Sequence, residues 1–129
     1  MLPDGIVRRL LWIDCTAGAV VGVAVLTLSG WLADVYGLPR GLLLVTGVAN
    51  LAYASYSFSL ARRRERPMAG LTLLAAANMA WAVPCLAWAW IYGPDATWLG
   101  LGHLLTEAVV VGGLGAVEWT QRERLRTAA

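Results

Sequence analysis

The sequence predicts an all-α membrane protein, a four-transmembrane-helix bundle built from two helical hairpins with both termini on the cytoplasmic side. Three observations carry this. Of 129 residues, 59% are hydrophobic and 14% charged, against about a quarter charged in a soluble domain. The chain holds four apolar runs, roughly 10–32, 42–61, 68–92 and 98–120, each at or above the roughly 20 residues that cross the hydrocarbon of a bilayer as a helix. All ten basic residues are arginines, and nine of them fall on one side of the spans so defined. Little chain is left over, so residues 1–129 are read as a single transmembrane domain.

The first run follows Arg8 and Arg9 and is edged by Trp12 and Trp31, as amphipathic rings edge a span at headgroup level. It is longer than the core of a signal peptide and lacks a small-residue cleavage site, so it is kept as a span. Asp14 lies just inside its arginine-rich edge. Two readings stand for it: a side chain that snorkels to Arg8, Arg9 or Arg62, or a point where a cation or proton enters. Gly18 and Gly22, with Ala17 and Ala19, give a small-residue face for close packing within the bundle or between protomers. Tyr36-Gly37-Leu38-Pro39 then turns the chain, as Tyr92-Gly93-Pro94 does later.

On the second span Thr46, Asn50, Tyr53 and Ser57 recur at helical spacing and form one polar stripe. Asn78, Trp81, Cys85 and Trp88 do the same on the third, which also holds Pro84, expected to free a carbonyl and kink the helix. Residues 49–54 (ANLAYA) recur in conservative form as residues 77–82 (ANMAWA), about equally far from the turn that carries Arg62, Arg63, Arg64 and Arg66. Asn50 and Asn78 are therefore expected at one depth, touching each other or one common group. The fourth span stacks His103 and Glu107 on one face, continued by Leu114 and Glu118. Glu118, beside Trp119 and Arg122, reads as a boundary residue. Glu107 is expected near the level of the two asparagines, with His103 one turn above. A carboxyl at that depth must find internal donors or stay protonated.

The basic clusters follow the positive-inside pattern and suit lipid contact rather than nucleic acid. Cys15 and Cys85 sit on different spans near opposite faces, too far apart for a disulfide. Catalytic and metal chemistries fail on residue count. A zinc site takes three or four protein ligands, a di-metal bundle takes two Glu-x-x-His motifs, and this chain has one histidine. No cofactor, metal site or catalytic group is therefore expected.

Leu11-Trp12-Ile13-Asp14, Tyr36-Gly37-Leu38-Pro39, the asparagines of the second and third spans and Glu118-Trp119 together give a pattern that resembles small bacterial four-helix integral membrane proteins of unassigned function, over nearly the full chain. The resemblance implies a bacterial inner-membrane setting and no activity. Small multidrug transporters have as many spans, but the acidic residue of their first helix stands in a different context. Two functional readings remain. Either Asn50, Tyr53, Asn78, Trp81, His103 and Glu107 line a midplane site for a small amphipathic ligand or a proton or cation, or they tie together an accessory or scaffolding subunit. In the second case the small-residue faces meet a membrane partner or another copy of the chain.

Overall fold

Each of the four apolar runs is helical in the computed structural model, which describes residues 2–127. Five helices appear and no strand among the described residues: α1 (Asp4–Thr27), α2 (Ser29–Tyr36), α3 (Arg40–Ala61), α4 (Met68–Tyr92) and α5 (Trp98–Leu125). In hydrocarbon a backbone must satisfy its own polar groups, and a helix does so within one segment. α1, α3, α4 and α5 are each long and apolar enough to cross a membrane.

Local chemistry sets the ends. Pro3, Pro39 and Pro67 stand immediately before α1, α3 and α4, where fixed φ guides the chain into the first turn and a missing N–H costs nothing. Thr97 caps α5, its hydroxyl accepting from the Gly100 N–H at 3.2 Å. The expected first span begins six residues early and is broken near its far end. At Thr27 the hydroxyl donates back to the Val23 carbonyl at 2.8 Å, and Ser29-Gly30 follows; both features bend helices. α4 runs unbroken through Pro84.

Packing is selective. α1 lies against α3 and α4 against α5, whereas α3 and α4, joined by the arginine turn, barely touch. Glycines make the close approaches: a Cβ on Gly22 would come within 3.0 Å of the Gly47 carbonyl, and one on Gly115 within 2.6 Å of the Met79 nitrogen. The small face around Gly18 and Gly22 is thus spent inside the molecule, on α3.

At one end Arg66 holds three segments together. Its backbone N–H donates to the Arg126 carbonyl at 2.9 Å, and its buried guanidinium donates to Leu60, Ala61 and Leu125 carbonyls at 2.8, 3.0 and 2.7 Å. These are carbonyls of the last turns of α3 and α5, where a cation also suits the helix dipole. Burial lowers the pKa of this guanidinium from its ordinary value. Arg124 pairs with Asp4 at the same end. At the other end Gly37, at φ +63°, is wedged under Asp95 and Thr97, and the Thr97 N–H donates to the Tyr36 carbonyl at 2.9 Å.

The apolar core is split by these two ends. Val7, Leu10, Leu11, Leu60, Leu71, Leu74 and Leu125 cluster near Arg66; Val25, Leu32, Leu42, Leu43, Ala89 and Leu104 cluster near the opposite turns. Between them lies a polar layer. Outward, Trp90 and Trp98 are 86% and 80% exposed, which suits rings standing in an interface rather than in a core.

Candidate functional site

A cavity of about 450 Å³ occupies the space between the two apolar clusters. Asn50, Tyr53, Asn78, Trp81, His103 and Glu107 all line it, because each stripe read from the sequence is turned inward by its helix. Its walls come from α1, α3, α4 and α5, with Tyr36 at the outer end. α1 and α5 touch little, and the α5 lining residues Trp98, Leu99, Thr106 and Val110 are exposed.

Glu107 anchors the outer half. It is 7% exposed, yet fully served: Oε1 accepts from Asn50 Nδ2 at 2.6 Å and Trp81 Nε1 at 3.0 Å, and Oε2 lies 3.0 Å from His103 Nε2. His103 Nδ1 in turn is 3.2 Å from the Tyr36 hydroxyl. A neutral imidazole protonated at Nε2 satisfies both contacts, donating to Glu107 and accepting from Tyr36. Trp81 stands between Tyr53 and Trp88, with ring centroids 5.8 and 5.7 Å away. The site thus carries acceptor oxygens and aromatic faces, and no lysine or arginine lines it.

Asn50 and Asn78 do not meet, contrary to the expectation from their equal spacing about the turn. Asn50 reaches Glu107, whereas Asn78 reaches Glu118 and Asp14, each at 3.0 Å. The two glutamates are eleven positions apart on α5, about 16 Å of helix rise. The physical reason is direction. Cα–Cβ bonds tilt toward the N-terminus of their helix, and α3 and α4 run oppositely, so the two side chains are thrown apart along the bundle. α3 and α4 also hardly touch, so neither asparagine has the other's helix as its close neighbour.

Two further readings need correcting. Asp14 is 7% exposed and pairs with no arginine; its Oδ2 accepts from Ser57 Oγ at 2.7 Å and from Asn78. Glu118 is no boundary residue but 1% exposed. α5 continues to Leu125 rather than ending near 120, and Glu118 accepts from Asn78 inside the bundle. The signal for both was present: Ser57 is on the stripe of Asn50, and Glu118 on the face of Glu107. Cys85, wholly buried, and Cys15 are free thiols. Among the described residues no group of acidic, histidine and cysteine side chains has the geometry to hold a metal ion. Compared with models of protein families, with curated proteins and with solved structures, the chain shows no match.

Proposed function

We propose that the protein is a bacterial inner-membrane four-helix protein whose midplane cavity binds a small amphipathic cation, with Glu107 as the counter-charge and Trp81, Tyr53 and Tyr36 as aromatic walls. The observation that carries this reading is a cavity of about 450 Å³, within the range of small-molecule sites, lined by Asp14 and Glu107 and by His103 as its one basic group. A ligand cation would gain from the Glu107 carboxyl group and from the ring faces, an attraction of about 2 kcal/mol or more per ring when desolvated. The slight contact between α1 and α5 supports lateral access from the bilayer.

The bundle is read as two hairpins, α1 with α2 and α3, and α4 with α5, with both termini cytoplasmic. The arginine asymmetry supports this orientation, as does the meeting of Asp4, Arg66 and Arg124 at one end. The runner-up is an accessory or scaffolding subunit in which the same groups serve only as interhelical ties. It is favoured by the three internal donors that already satisfy Glu107.

A matched pair of probes separates the two. Tetraphenylphosphonium and tetraphenylborate have the same shape and opposite charge, and tryptophan fluorescence of the purified protein in detergent reads their binding. The cation site predicts saturable phosphonium binding, weaker borate binding, and about a tenfold loss of phosphonium affinity in Glu107→Gln, equivalent to about 1.4 kcal/mol. Equal binding of both ions, or none, with a silent Glu107→Gln supports the structural role instead.

A further inference from the structure

A second polar cluster lies beneath the Glu107 level, and the cation reading leaves it unused. It takes one residue from each long helix: Asp14 of α1, Ser57 of α3, Asn78 of α4 and Glu118 of α5. The Asn78 amide nitrogen bridges the carboxyl groups, donating to Asp14 Oδ2 and Glu118 Oε2 at 3.0 Å each. Ser57 donates to Asp14 at 2.7 Å. Asp14 and Glu118 are thus joined through one amide nitrogen. Asn78 and Ser57 are fully buried, and Glu118 is 1% exposed.

The donors do not cover the acceptors. Asn78 Oδ1 and Glu118 Oε1 are buried with no hydrogen-bond partner, a costly state for polar atoms out of water. Nor is there a countercharge. The ion pairs of the described residues join His103 to Glu107, Arg124 to Asp4 and Arg126 to Glu123, none of them in this cluster. α3 also carries Tyr53, whose hydroxyl donates to the Ala77 carbonyl at 3.1 Å, and α1 carries Cys15 next to Asp14 in the sequence. Glu107 and His103 lie further along the cavity. Arg122 lies over the Trp119 ring at 4.4 Å and Arg62 over the Phe58 ring at 5.8 Å.

Two carboxylates sharing one amide in a low dielectric repel each other, and like pairs of this kind retain a proton. We propose that Asp14, Asn78 and Glu118 form a proton-binding site at the inner end of the cavity. One proton, taken from solvent that reaches the cavity, forms an O–H bond on a carboxyl oxygen of the Asp14–Glu118 pair. It removes one buried charge and supplies a donor for one of the two unpartnered oxygens. Asp14 and Asn78 also line the cavity, so the proton has a route in and out, whereas Glu118 is closed off behind them. Among the described residues no group of three or more acidic, histidine and cysteine side chains is placed to hold a metal ion, and this cluster has two. The site stands whatever occupies the cavity above it.

Infrared difference spectroscopy of the full chain in lipid vesicles, stepped in pH, tests this directly. A protonated-carboxyl C=O band that shifts on deuteration is expected at neutral pH. It should vanish in Glu118→Gln and in Asp14→Asn and remain in Glu107→Gln. Either of the first two variants suffices if the other fails to fold, and the wild-type titration stands by itself. The proposal is overturned by absence of the band in the wild type, by its persistence in Glu118→Gln or Asp14→Asn, or by its loss in Glu107→Gln. Removal of the band by sodium at fixed pH would overturn the proton as occupant. Phosphonium binding is read separately, so failure of the cavity reading leaves this result intact.

Discussion

Glu107 and Arg66 are the two side chains on which most of the interior depends, and they do so in opposite ways. Glu107 gathers donors from α3, α4 and its own helix around a cavity. Arg66 gives its donors to carbonyls of α3 and α5 and ties two helix ends together. Hydrogen bonds from a charged group are worth about 1.5–3 kcal/mol each, so Arg66→Ala is expected to cost at least about 3 kcal/mol in unfolding by denaturing detergent. Arg63→Ala, an exposed neighbour in the same turn, should stay within about 0.5 kcal/mol. If the two variants unfold alike, the clamp is not what holds that end. The asparagines give a second prediction. Asn50 and Asn78 serve separate carboxyl groups, so the losses from Asn50→Leu and Asn78→Leu should add within error. Asn50→Leu with Glu107→Leu should show coupling near the ~0.6 kcal/mol typical of interhelical hydrogen bonds in membranes. Coupling between the two asparagines instead would restore the single polar level.

Among the elements, the close pairings rest on absent side chains. Gly115→Ala drives a methyl into the α4 backbone and should lower the melting temperature, a cost of about 1–3 kcal/mol for overpacking. Gly113, on the same helix with nothing within 4 Å of a Cβ, should accept alanine with no loss or a small gain from helix propensity. Equal melting of the two variants would mean that α4 and α5 do not approach as described. The helices themselves were legible in the sequence, since hydrophobic length and flanking prolines and arginines are local signals. So were the inward faces: Thr46, Asn50, Tyr53 and Ser57 recur at helical spacing and are turned inside together. Axial stagger was not legible. Equal distance from the turn says where two Cα atoms stand, but the direction of each helix decides where the amides go. The same gap hid Glu118, whose periodicity pointed inward while its neighbours Trp119 and Arg122 pointed to a boundary. The distinction between Arg66 and Arg62, Arg63 or Arg64 has no sequence signal, because it arises only where the ends of α3 and α5 converge.

At the scale of the molecule, two apolar clusters close the ends of a bundle whose middle is polar and open. The orientation is tested by cysteine labelling in intact cells: Asp95→Cys should react with an impermeant maleimide and Arg64→Cys only after the membrane is opened. Labelling of both from outside would remove the cytoplasmic assignment of the arginine turn. The cavity itself is tested most directly by filling it. Gly102 lines the cavity and has nothing within 4 Å of a Cβ, so Gly102→Phe is the substitution chosen to put a ring into the space. Native mass spectrometry of protein released from its own membrane is the measurement. A small-molecule adduct is expected on the wild type and on Gly113→Phe, and its loss from Gly102→Phe. An adduct that survives unchanged in Gly102→Phe, or a wild type that carries none, would contradict a ligand-binding cavity around Glu107.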